Sequence, residues 1–207
     1  MNTTQPSRND RKRELRRQSL VDAATHLFAT HGYAGTTIDD IVAEADVAKV
    51  TFYYYFKSKE EVAFEIKRKG AEEALAYIET LRTKDLSAEK MIEAFIHDVA
   101  EWTEKNWRLL DVFCAQRFSP LLERETTTEC KPEPITICVD VIIEHGQKSG
   151  SFRTNIDRCR VAHLIDLAIL CEQYHWVRSG RPDGELIINL KKCFDFALNG
   201  IMHRPNL

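Results

Sequence analysis

Between Pro6 and Pro120 the chain has no proline and no long alternation of apolar and polar residues, so the interval reads as helical. A first helix is predicted from Arg11, with Leu20, Ala24, Leu27 and Phe28 as its inner stripe, ending at His31-Gly32 where glycine suits a left-handed cap. Two short helical patterns follow on either side of a tight break at Asp46-Val47. In the first, Thr37 caps with Asp40 three residues on, and Ile38, Ile41, Val42 and Ala45 share a face. In the second, Phe52 and Phe56 point one way while Val50, Tyr53 and Tyr54 point the other. A short helix anchored on one face, with Lys, Thr and Tyr on the opposite face, is the pattern of a helix-turn-helix that reads DNA.

A longer helix starts at Ser58, capped with Glu61, and carries Val62, Phe64, Ile66, Leu75, Ile78 and Leu81 out of the head. Ser87 opens the next, with Met91, Ala94, Phe95, Val99 and Trp102 inward, and another runs from Asn106 or Trp107 to Phe118. Pro120 permits a kink or a break in 119–131. After Pro134 the pattern favours a helix ending near Gly146 or Gly150, although its β-branched residues leave a strand open. The last two helices, Asp157 to Ser179 and the one capped by Asp183 through Ile201, are apolar on more than one face. Such helices need more than one partner surface. The predicted fold class is all-α: a three-helix head over 11–65 with its helix-turn-helix at 37–56, joined by a long helix to a helical body over 66–207. The last two helices are either a homodimer interface or wholly internal to one subunit.

Composition changes this picture little. A net charge of −3 does not by itself suggest a nucleic-acid binder. The charge is uneven, however: residues 1–69 carry twelve Lys and Arg against ten acids, and 8–17 alone hold six basic residues and two acids. There is no apolar run long enough for a membrane span and no hydrophobic leader, so a cytoplasmic protein is expected. The cysteines at 114, 130, 138, 159, 171 and 193 form no CxxC pair and are expected as reduced thiols. No nucleophile elbow, P-loop, HExxH or dinucleotide fingerprint is present, which disfavours an enzyme; no catalytic residue, metal ligand or cofactor is assigned.

Leu20 to Ala29, His31-Gly32-Tyr33, Gly35-Thr36-Thr37-Ile38, Asp40-Ile41, Val47-Ala48-Lys49, Thr51 to Phe56 and Ser58-Lys59-Glu60 together resemble the head of the tetracycline-repressor (TetR) family. The resemblance covers about 11–65 and implies an all-helical regulator that binds operator DNA as a homodimer. Its C-terminal body is then expected to bind a small molecule that releases DNA. By this resemblance the DNA-contacting positions are Thr37, Lys49, Thr51, Tyr53, Tyr54 and Lys59. Elementary chemistry runs parallel: a helix amino end at Thr37 and the hydroxyls of Tyr53 and Tyr54 suit phosphates, Lys59 adds charge, and Lys49 and Thr51 suit base edges. Val50 stands where the family often has glycine, so its methyls are added to the DNA face and base preference is not carried over.

In the body, Trp102, Phe113, Cys114 and Tyr174 are the candidates to line an apolar pocket for a small apolar or aromatic ligand; the competing role for each is core packing. Cys159 with His163, and Cys171 with His175, have the i, i+4 spacing of metal-binding pairs, but lie too far apart along one helix to share an ion. A metal or redox sensor, and a DNA-binding regulator that is constitutive or works with a protein partner, are the alternatives.

Overall fold

The computed structural model describes residues 7–118 and 133–201 of the 207-residue chain, the side chains of 116–118 and 134 excepted. Helices follow one another as α1 (Arg8–Gly35), α2 (Ile38–Glu44), α3 (Lys49–Tyr55), α4 (Lys59–Thr83), α5 (Ala88–Asn106), a 3-10 turn at Trp107–Leu109, α6 (Leu110–Phe118), α7 (Pro134–Ser149), α8 (Arg158–Arg178) and α9 (Glu185–Ile201). Among the described residues no β-strand forms, so the architecture is all-α. The kink at Pro120 lies outside the described residues.

The chain divides into two compact units, Met1–Lys67 and Arg68–Leu207, and α4 contains the boundary. In the first unit, Leu20, Ala24, Leu27 and Phe28 of α1 are buried together with Ile41, Val42, Phe52, Phe56, Val62 and Ala63. α1 starts three residues earlier than the apolar pattern indicates. Ser7 accepts from the Asp10 amide while Asp10 accepts from the Ser7 amide, a capping box that holds the first turn without any apolar stripe. Its regular course ends where expected: Gly32 has φ 78 and ψ 163, a conformation glycine adopts without the Cβ clash.

In the second unit α5, α7, α8 and α9 enclose the core. Met91, Phe95, Cys138, Ile142, Ile143, Ile169, Leu190 and Phe194 are among its buried members. α7 is helical and not a strand, because Pro134 occupies its first turn and Gly150, left-handed at φ 81, closes its end. α8 is capped by Asp157, whose carboxylate accepts from the Arg160 amide. α9 begins at Glu185, past a left-handed Gly184. No described helix is long and apolar enough to cross a membrane.

Candidate nucleic-acid interface and ligand cleft

α2 and α3 are joined by a turn in which Asp46 takes φ 51, a left-handed conformation that Asp tolerates better than most residues. The Val47 amide donates to the Val42 carbonyl at 3.1 Å and fixes the angle between the two helices. Phe52 is fully buried and Phe56 nearly so, with ring centroids 5.9 Å apart, and they anchor α3 against the head core. The opposite face is open. Val50 is 76% exposed, Tyr54 63% and Tyr53 52%, at the i, i+3, i+4 spacing of one helical stripe. Three large apolar or aromatic side chains left in water on a seven-residue helix contribute nothing to the core, so their placement calls for a partner surface. Arg13, from the basic start of α1, lies over the Tyr54 ring at 5.5 Å and adds a cation to this face. Thr51 is half-buried beside it.

Lys49 opens α3, and its ammonium reaches back to α2, 2.7 and 3.0 Å from the two carboxylate oxygens of Asp39. That hydrogen bond holds the Lys49 pKa above its ordinary value. The capping-box spacing singles out Asp40 from the sequence, but nothing in the local pattern pairs Asp39 with a residue of α3. Asp40 closes the capping box, accepting from the Thr37 amide at 2.8 Å and from its hydroxyl at 2.6 Å, and these bonds keep its carboxyl below the usual range. Asp39 is left for Lys49.

Thr37 and Lys59 each make hydrogen bonds within the head. The polar atoms of Thr37 are already engaged by Asp40. Lys59 donates to the carbonyls of Tyr33 at 2.7 Å and Thr36 at 2.8 Å, and lies 4.2 Å from the Tyr33 ring centroid. It closes the carboxyl end of α1, where carbonyls without helical partners favour a cation. Tyr33 in turn donates to Glu60 at 2.5 Å. Burial and this bond raise the Tyr33 pKa, while the same bond leads the causes lowering that of Glu60. Arg17 pairs with the buried Glu65 at 2.5 Å and lies over the Phe56 ring, so α1 and the first turns of α4 are bound together within the head. Lys59→Met is expected to destabilise the head by about 2 kcal/mol, because two carbonyls lose a charged donor. Chemical denaturation of the full chain measures this; an unchanged stability would place the ammonium in solvent instead.

In the second unit a half-open cleft of about 390 Å³ lies between α6 and α8, lined by Cys114, Ala115, Leu170, Cys171, Tyr174 and His175. Of the four pocket candidates it takes in Cys114 and Tyr174. Trp102 and Phe113 are not among its lining residues: they stack on each other, centroids 6.0 Å apart, with Phe113 buried and Trp102 lying over Gly70. Phe113 and Ala115 flank Cys114 on opposite sides of α6, about 100° to either side of it; Ala115 lines the cleft and Phe113 turns to Trp102. The cleft also absorbs Cys171 and His175, one of the two i, i+4 pairs. In the other pair, His163 Nδ1 donates to the Cys159 carbonyl at 2.7 Å, which occupies that nitrogen. Among the described residues no group of three or more His, Cys, Asp or Glu is arranged to hold a metal ion.

Comparison with known proteins fits this geometry. The family description "Bacterial regulatory proteins, tetR family" matches residues 20–66, from the apolar stripe of α1 through the start of α4. The chain is 26% identical to the HTH-type transcriptional repressor KstR2 of Rhodococcus jostii (strain RHA1), over 99% of this chain and 100% of that protein. It is similar in fold to the TetR-family repressor FadR of Thermus thermophilus, solved in complex with lauroyl-CoA. There the TM-score is 0.68 and the identity 20%, covering 91% of this chain and 96% of that one. It is also similar to FadR of Bacillus subtilis in complex with stearoyl-CoA, with TM-score 0.63 and 19% identity over 89% and 98% of the two chains. The family match thus assigns residues 20–66 to the tetR-family head, and over its whole length the chain is similar to a transcriptional repressor.

Proposed function

We propose that this regulator is a homodimeric repressor that grips operator DNA with α3 and lets go when an acyl thioester of coenzyme A enters the second unit. The observation that carries the DNA reading is the exposed row of Val50, Tyr53 and Tyr54 on a helix whose other face is buried through Phe52 and Phe56. In this reading Tyr53 and Tyr54 donate to phosphates, Lys49 and Thr51 meet base edges, and Val50 packs on a thymine methyl. Thr37 and Lys59 serve mainly by holding the frame on which α3 is mounted. The protein acts by binding and not by catalysis.

Dimerisation through the last two helices is supported by apolar side chains left in water on α8 and α9: Leu164 at 61%, Ile188 at 51% and Phe196 at 86% exposure. The ligand class is supported by the apolar lining of the cleft and by the acyl-CoA complexes of the two similar folds. An alkyl chain suits such a lining, since its burial gains about 25 cal/mol per Å² without any polar partner.

Selection of bound fragments from the source genome, followed by footprinting, tests the reading. Two protected half-sites centred about 10–10.5 base pairs or a multiple apart are expected from a two-fold dimer. Lauroyl- or stearoyl-CoA is then expected to release the fragment. No enriched fragment would overturn the DNA-binding reading, and a fragment indifferent to both thioesters would overturn the ligand class alone.

A further inference from the structure

Asp39 is an exposed acid bonded to Lys49, a residue that the preceding reading turns toward DNA. It is not needed to close α2, since Asp40 does that with both hydrogen bonds of the capping box. Its helix position gains a little from the α2 dipole, but so does that of any acid in a first turn. What distinguishes Asp39 is the bond to Lys49 across the α2–α3 gap, at 2.7 and 3.0 Å from the two oxygens of one carboxylate. Both side chains are exposed, so the pair is exchangeable: an exposed ion pair holds weakly and yields to a better acceptor.

Resting on the DNA-binding reading, we propose that Asp39 is a specificity-determining residue of the interface. Its carboxylate holds the Lys49 ammonium away from backbone phosphates and surrenders it where base edges replace it. On unrelated DNA, Lys49 stays with Asp39, and a neutral pair faces the phosphates instead of a free cation. On the operator, the O6 and N7 acceptors of a guanine take over the ammonium in a fixed geometry, which mobile counterion-screened phosphates do not offer. Asp39 therefore penalises non-specific binding more than specific binding. The device widens the ratio between them without adding a contact.

The test uses the full chain, a duplex recovered by genomic selection and a scrambled duplex of equal length, across a salt series. Asp39→Asn keeps the shape of the side chain and removes its charge. On scrambled DNA the affinity is expected to rise roughly eightfold per subunit at 0.1 M salt, with a salt slope steeper by about 0.9 per subunit, as each neutralises one more phosphate. On the selected duplex the rise is expected to be about threefold per subunit, so the specificity ratio narrows. In a Lys49→Gln background the added slope should vanish.

Equal gains on both duplexes, or the same gain with Lys49→Gln, would mean that Asp39 acts by general repulsion, and the inference would fall. A loss confined to the selected duplex would overturn it too, by making Asp39 a base contact in its own right. Failure to recover any fragment overturns the DNA-binding reading and takes this inference with it. Recovered fragments with an unmoved ratio overturn the inference alone.

Discussion

Gly146→Ala is expected to destabilise the second unit by about 2–3 kcal/mol, the upper part of the range for a methyl forced into a packed core. A Cβ at this position in α7 would stand 2.1 Å from Cδ2 and 2.4 Å from Cε2 of Phe152. Phe152 is 1% exposed and tethered at its own backbone, where its amide donates to the Gly146 carbonyl at 3.0 Å. The ring therefore has neither space nor slack to retreat. Helix propensity points the other way, because alanine in a helix interior is better than glycine by about 1 kcal/mol. The two effects can be separated. In a Phe152→Ala background the clash is gone, and Gly146→Ala should become neutral or stabilising by some tenths of a kcal/mol. Thermal unfolding reads both, with a fall in midpoint on the order of 5–10 °C for the single variant. Additive effects in the double variant would show that the ring and the added methyl never meet.

Gly146 also illustrates what the sequence could and could not convey. It stood out as a possible helix end, yet α7 runs on to Ser149 and the terminator is Gly150. A glycine inside a helix and a glycine past its end look identical until the neighbour pressing on one of them is known. The helices themselves were legible because their apolar spacing is a local property, as in α3, where Phe52 and Phe56 had to share a face. The amino end of α1 was not, since Arg8 to Arg16 has no buried side that a hydrophobic pattern could register.

Polar roles were legible only in part. The chemistry of Lys59 suits a phosphate, but its ammonium is committed to the end of α1 by residues more than twenty positions upstream. Likewise Trp102 and Phe113 were recognisable as large aromatic side chains, but the turn of each helix about its axis decides whether such a ring faces a cleft or a neighbouring ring. That rotation is a tertiary quantity, and it assigned Cys114 and Tyr174 to the cleft while stacking the other two.

Val50→Glu is expected to weaken DNA binding by about 100-fold or more at 0.1 M salt while leaving the fold intact. Each phosphate neutralised is worth close to one decade of affinity at that salt, so one added anion on each of the two heads of the proposed dimer reverses two gains of that size. In the proposed pose the carboxylate would also face the acceptor-rich edges of guanine and replace the methyl contact with thymine. Stability should move in the opposite sense. At 76% exposure the Val50 side chain contributes almost nothing to packing. Glutamate is also the better helix former, and an acid near the amino end of α3 is favoured by the helix dipole, each by some tenths of a kcal/mol. A thermal midpoint unchanged or slightly raised, with binding lost, cannot come from unfolding. Val50→Ala separates the two contributions: it removes the methyls without adding charge, so its loss should be small and confined to duplexes with a thymine at the contacted step. If Val50→Glu instead binds within threefold of the parent chain, the open face of α3 is not the surface that meets DNA. The roles proposed for Tyr53, Tyr54 and Lys49 would then fall together, because one rigid helix presents all of them.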